Sequence, residues 1–158
     1  DYYIATKNGK EAIFHKDGKQ ISNWFDSILF DGLVSGQSDY YLAEKNGKKA
    51  IFDRDGKQVS DWLDGSFMIT GLFHGISDYY VVRGKDELYY IYKLGSKKVM
   101  GPIAYIEDYG FISNPSKNMV ILEMPKRITL ESPNRRYEIF TRQELEQFFE
   151  EKNVENER

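Results

Sequence analysis

The sequence predicts a mainly β fold: antiparallel meander units of about 39 residues arranged like propeller blades, or alternatively as an open β-solenoid, with a C-terminal α-helix. The first observation behind this is a repeat. Asp1-Tyr2-Tyr3-Ile4-Ala5 returns as Asp39-Tyr40-Tyr41-Leu42-Ala43 and again as Asp78-Tyr79-Tyr80-Val81-Val82, at intervals of 38 and 39. The second is turn chemistry, because an Asn-Gly and an Asp-Gly pair separate short apolar runs in each of the first two copies. The third is the count of four short strand candidates in each of these units.

In the first unit, Tyr2 to Thr6 and Glu11 to His15 flank Lys7-Asn8-Gly9-Lys10. Asn-Gly can take the positive φ angles of a type I′ turn, which gives Gly9 and its counterpart Gly47 a structural role. A two-residue turn sets Ala5 opposite Ala12, Ile4 opposite Ile13 and Tyr3 opposite Phe14. In the second unit it sets Ala43 opposite Ala50, Leu42 opposite Ile51 and Tyr41 opposite Phe52. Alternation sends Ile4 and Ile13 to one face and Tyr3, Phe14, Ala5 and Ala12 to the other. Both faces are apolar, so each must be covered by a neighbouring sheet.

Gly18 and Gly56, in Asp17-Gly18 and Asp55-Gly56, form the next turn. A third short strand is expected at Gln20 to Ser22 and Gln58 to Ser60, and a fourth at Asp26 to Phe30 and Ser66 to Thr70. Late in the units, Gly32-Leu33, Gly71-Leu72 and Gly110-Phe111 recur at intervals of 39. The organisation expected is one repeat domain over 1–158, with units at 1–38, 39–77 and 78–117 and a degenerate unit at 118–140. In the last part, Pro125 and Pro133 separate strands at Met119 to Glu123, Ile128 to Glu131 and Tyr137 to Phe140. Thr141 and Glu144 then fit a capping box, and Leu145, Phe148 and Phe149 give a helix over 141–152 one apolar stripe to lay on the last sheet.

Composition narrows the function. Lys and Arg number 22 against 25 Asp and Glu, a net charge of -3, which argues against a nucleic-acid partner because such binding rests on a basic excess. No stretch approaches the roughly 20 apolar residues of a membrane span, so no membrane insertion is expected. Cysteine is absent, which excludes disulfides and thiolate chemistry and leaves the compartment open. A cytoplasmic location is the first expectation; a leader preceding Asp1 would make it extracellular.

The order Asn-Gly-Lys, apolar triplet, Asp-Gly-Lys, Trp-apolar-Asp and Gly-Leu resembles the WG-repeat family of bacterial β-hairpin repeat proteins over roughly residues 1–112. Asn8, Gly9, Lys10, Ile13, Phe14, Asp17, Gly18, Lys19, Trp24, Phe25 and Asp26 carry the likeness, together with Asn46, Gly47, Lys48, Ile51, Phe52, Asp55, Gly56, Lys57, Trp62, Leu63 and Asp64. The form is degenerate. Where the family has its Trp-Gly pair, this chain has Glu11-Ala12 and Lys49-Ala50. The resemblance implies an interaction or structural module without an assigned reaction. The chain is also similar, more distantly, to the aromatic-rich wall-binding repeats of secreted bacterial proteins, whose units are about half as long.

Chemical candidates are few. His15 stands where the second copy has Asp53, which marks a polar strand end, and His74 has no partner at a metal-ligand spacing. Asp53 and Asp55 resemble part of a calcium loop, but the first copy reads His15-Lys16-Asp17-Gly18, so a hairpin turn is favoured. Asp26 and Asp64 follow Trp24 and Trp62 at equivalent places, where a catalytic pair would need unlike environments; an acceptor for backbone amides fits better. Lys126-Arg127 and Arg135-Arg136 are interleaved with acids and read as a solvated face. No catalytic residue, metal or cofactor is therefore expected. Trp24 and Trp62 are expected to fill gaps between units. Tyr2, Tyr40 and Tyr79, if aligned and exposed, would form a binding platform. The expected function is a protein-interaction or structural scaffold; the alternative is a carbohydrate or cell-wall module using exposed Tyr and Trp rings.

Overall fold

In the computed structural model the chain is mainly β, with antiparallel sheets and few helices. The residues described are 1–29, 31–75, 78–95, 98–107, 119–124 and 136–141, together with 143, 144, 147 and 150. They fall in two compact units, Asp1–Gly65 and Ser66–Arg158.

In the first unit, β1 (Tyr2–Lys7) and β2 (Lys10–His15) form a hairpin, and β3 (Ser27–Leu29), β4 (Tyr40–Lys45) and β5 (Lys48–Asp53) form a three-stranded sheet. Asn8 and Asn46 both have φ of 53°, with Gly9 at 75° and Gly47 at 77°, the two positive angles of a type I′ turn. That turn sets the register. Tyr3 faces Phe14, Ile4 faces Ile13 and Ala5 faces Ala12, as Tyr41 faces Phe52, Leu42 faces Ile51 and Ala43 faces Ala50.

The third strand expected at Gln20 to Ser22 is reduced to isolated bridges. Phe14 pairs with Gln20 and Glu11 with Phe25, so four residues of the outer segment span two of β2. The cause is Ser22, whose buried hydroxyl accepts the Ile13 N–H at 2.8 Å and donates to the Asn23 carbonyl at 2.9 Å. A side chain thus takes the ladder bond and pushes the backbone outward. Ser60 does the same with Ile51 N–H at 2.8 Å and the Asp61 carbonyl at 3.1 Å. Gln20 and Gln58 brace both bulges by donating to the Ser22 and Ser60 carbonyls at 2.7 Å.

The fourth strand does not join its own hairpin. After the Glu11 bridge at Phe25 the chain crosses over, Asp26 N–H donates to the Glu44 carbonyl at 3.0 Å, and β3 pairs with β4. A short helix, α1 (Gly32–Ser35), then leads back to β4, capped by Gly36 at φ 74°. The core of this unit lies between the hairpin and the sheet. Ile13 and Phe25 meet Ile28, Tyr41 and Phe52 there, with Leu33 of α1 beside them.

In the second unit, β6 (Ser66–Met68), β7 (Tyr79–Arg83), β8 (Tyr89–Lys93) and β9 (Lys98–Ile103) form a four-stranded sheet in that order. Short helix α2 (Thr70–Phe73) joins β6 to β7. Here the outer segment is a full strand, with a register shift between Tyr89 and Tyr92. β10 (Tyr105–Glu107), β11 (Met119–Met124) and β12 (Arg136–Thr141) form the last sheet. Positions 143, 144, 147 and 150 are helical and exposed; the expected apolar stripe at Leu145, Phe148 and Phe149, the strand at Ile128 to Glu131 and Gly110-Phe111 lie outside the described residues. Among the described residues no helix is long and apolar enough to cross a membrane.

Two turn glycines differ in a way that can be measured. Gly18 (φ 94°) has open space where a Cβ would project, whereas at Gly56 (φ 82°) a Cβ would collide with the Ile21 carbonyl oxygen. Gly18→Ala should cost about 1–2 kcal/mol of left-handed strain. Gly56→Ala should cost at least about 1 kcal/mol more, since backbone must move, and urea midpoints of the two variants will show the difference.

A second test concerns Tyr41, whose hydroxyl is buried and, among the described residues, lacks a hydrogen-bond partner. Burial, and then the Asp53 carboxylate, push its pKa well above the ordinary tyrosine value. The Ser22 hydroxyl opposes this only weakly, being already committed to Ile13 and Asn23. Tyr41→Phe should therefore raise stability by about 1 kcal/mol at neutral pH. A raised folded-state pKa stabilises fully below about pH 10 and less as pH climbs toward the folded value, so the advantage of Tyr41→Phe should widen in alkaline melts.

Candidate functional site

The first hairpin and the sheet that follows it offer a direct comparison, since the same side chains recur in both with different surroundings. Tyr41 stacks on Phe52 with ring centroids 5.5 Å apart at 11°, and Trp62 meets the Phe52 edge at 5.8 Å. Tyr3 stacks on Phe14 at 5.7 Å and 14°, and Trp24 lies 5.9 Å from Phe14. The difference lies in what covers them. Phe25, delivered by the crossover, sits 5.1 Å from Phe52 and 5.9 Å from Trp62, and Tyr41 is 0% exposed. Tyr3 is 45% exposed, the one large hydrophobic side chain so open among the described residues. The Ile13 face of the first hairpin is covered as expected; on the other face Ala12 is buried and Ala5 and Phe14 are half-buried, while Tyr3 is open.

The strand edges differ in the same way. β4 pairs with β3 on one side and β5 on the other, whereas among the described residues β1 pairs only with β2. An edge strand beside an open aromatic face is a surface on which another strand can be added. Sequence reasoning did not find it, because Tyr3 and Tyr41 have the same neighbours in sequence.

Asp26 is the main electrostatic element at the covered counterpart. Its carboxylate pairs with the Lys10 ammonium and accepts the Asn46 N–H at 2.8 Å, so it ties the turn of one hairpin to the turn of the next. Those bonds, led by Lys10, hold its pKa below the usual carboxylate value, with the Lys45 charge adding to the effect. Its role as an acceptor for a backbone amide matches the expectation from sequence. Glu11 and Lys49, at the position of the missing Trp-Gly pair, both secure the crossover with opposite chemistry. Glu11 Oε1 accepts the Ile28 N–H at 3.2 Å, while Lys49 Nζ donates to the Gly65 carbonyl at 3.0 Å.

The histidines and the acidic loop have turn roles. His15 Nδ1 accepts the Asp17 N–H at 3.3 Å, as Asp53 Oδ1 accepts the Asp55 N–H at 2.9 Å; Asp53 also accepts the Lys57 N–H at 3.0 Å. His74 caps α2 and lies edge-on to Phe73 at 5.4 Å. Among the described residues no group of three or more His, Asp or Glu is placed to hold a metal ion.

The three tyrosines of the candidate row differ in exposure. Tyr2 and Tyr40 are half-buried, with Tyr2 edge-on to His15 at 5.2 Å. Tyr79 is 7% exposed and the Lys93 ammonium lies 5.8 Å from its ring centre, so it offers no open ring to a ligand. Of the basic cluster, Lys126, Arg127 and Arg135 lie outside the described residues and Arg136 opens β12.

Comparison with known proteins returns no match to a protein-family model, a curated protein or a solved structure.

Trp24 and Trp62 are both half-buried, but only Trp62 touches the crossover residue Phe25. Trp62→Ala should therefore destabilise by about 3 kcal/mol, and Trp24→Ala by clearly less. Thermal melts of the two variants, with Trp62→Phe as an intermediate case, test this. Iodide should quench Trp24 more readily than Trp62 in single-tryptophan variants.

Proposed function

We propose that this chain is a non-enzymatic repeat module of the WG-repeat type, serving as a scaffold that presents a surface to a protein partner. The observation that carries this reading is the repeated structural use of polar side chains. Ser22 and Ser60 replace a ladder bond, Gln20 and Gln58 brace the bulge, and His15 and Asp53 accept a turn amide. Catalysis needs groups in unlike environments, and these are in like ones.

The sheets are propeller-like blades in this proposal, with an open β-solenoid as the alternative. Supporting it, each sheet after the first begins with a short strand that precedes its hairpin: β3 on β4, β6 on β7 and β10 on β11. Within the first unit, β3 is a strand lent to the next sheet, which joins the first hairpin to that sheet covalently.

A protein partner is favoured over a carbohydrate because, among the described residues, one ring, Tyr3, is exposed, and it lies on a strand that pairs only with β2. Sugar platforms rely on exposed rings, and Tyr79 is buried. With benzoylphenylalanine at position 3, illumination in cells should yield crosslinks to protein, and a glycan array should remain blank. Tyr3-dependent binding to a polysaccharide would reverse the assignment.

A further inference from the structure

Asn46 and Gly47 form the turn between β4 and β5, at φ 53° and 77°, and Lys45 pairs with Lys48 across it. We propose that this pair is a site of spontaneous covalent modification, in which the Asn46 side-chain amide is converted through a cyclic imide to isoaspartate. The product loosens the tie that Asp26 makes between the first hairpin and the sheet that follows it.

The turn meets the requirements for ring closure at each atom involved. The nucleophile is the Gly47 main-chain nitrogen, and among the described residues no group accepts its N–H. The electrophile is Cγ of Asn46, on an exposed side chain whose amide makes no hydrogen bond among the described residues, so it can turn toward that nitrogen. Gly47 has no Cβ to obstruct the approach, and nothing lies within 4 Å of where one would project. Asp26 holds Asn46 by its own N–H at 2.8 Å, on the other side of Cα from the bond that must rotate. Asn23 is also exposed, but Trp24 follows it and sets a large side chain beside the attacking nitrogen.

The reaction needs only water. The Gly47 nitrogen gives its proton to hydroxide and bonds to Asn46 Cγ; the Cγ–Nδ2 bond breaks, and Nδ2 takes a proton from water and leaves as ammonia. Water then opens the imide. Addition at Cγ yields aspartate, whereas addition at the Asn46 main-chain carbonyl carbon breaks its bond to Gly47 and leaves the chain running through Cβ and Cγ. Nothing is oxidised or reduced. Isoaspartate thus adds a carbon to the main chain of a turn whose two residues must both hold positive φ. That added carbon displaces the residue 46 N–H from the Asp26 carboxylate, which on its other side pairs with Lys10.

Ageing the intact 158-residue chain, folded, in warm and mildly alkaline buffer tests the proposal. Ion exchange should resolve a species with one more negative charge. Peptide mass spectrometry should place the change at position 46, and an isoaspartyl methyltransferase should methylate it there. The separated species should melt below the fresh chain and lose hydrogen-exchange protection at the residue 46 amide. Asn46→Gly leaves a Gly-Gly pair that suits the same turn, and an N–H for Asp26, but no side-chain amide. This variant should gain no charge at position 46 and keep its melting temperature on ageing. An Asn46 that stays intact in the folded chain while the urea-unfolded chain is converted overturns the proposal, whatever happens at other asparagines. A converted species that melts with the fresh chain overturns it too, as does an Asn46→Gly variant that loses stability on the same schedule as the parent.

Discussion

Phe25 and Asp26 mark the point where the chain leaves the first hairpin and enters the next sheet, and the rest of the first unit is organised around that transfer. Phe25 closes the outer segment on Glu11 through two backbone bonds of 2.8 Å, and its ring is 3% exposed between Phe52 and Trp62. Burying a ring of this size is worth about 1.5–3 kcal/mol. Asp26 adds direction, because its carboxylate links Lys10 to the Asn46 amide and so fixes one turn relative to the other. Without the transfer, β3 would not pair with β4, and the faces of two hairpins would lose their common layer.

The positions that vary between copies show which physical requirement is being met. His15 and Asp53 differ in charge and shape, yet each offers an acceptor to the amide two residues on. Glu11 and Lys49 have opposite charges and both hold the crossover backbone, one by accepting an N–H and the other by donating to a carbonyl. Ser22 and Ser60 do not vary: a small hydroxyl that donates and accepts at once is needed inside the bulge. What is kept is the satisfaction of backbone groups, and side-chain identity follows from it.

The same requirement explains why one face of the first hairpin is a candidate for recognition. Tyr3 and Tyr41 have equivalent partners within their hairpins, and among the described residues only the second is covered by a strand and a ring from elsewhere in the chain.

Sequence alone determined the hairpins. Asn-Gly at positive φ fixes a two-residue turn, and strand alternation then dictates every cross-strand partner from Tyr3 and Phe14 to Ala43 and Ala50. These are local rules, acting over a dozen residues. Tertiary structure decided the rest. The fourth strand, expected over Asp26 to Phe30, forms at Ser27–Leu29, but its partner is β4, which is chosen by where Phe25 and Ile28 can be buried. The third strand gave way to a bulge because one hydroxyl competed for a ladder amide. Likewise Tyr2, Tyr40 and Tyr79 share a sequence position, while burial of Tyr79 and exposure of Tyr3 depend on what packs against them. Pairing register is set by neighbours along the chain, whereas exposure is set by neighbours in space, and the candidate site is defined by exposure.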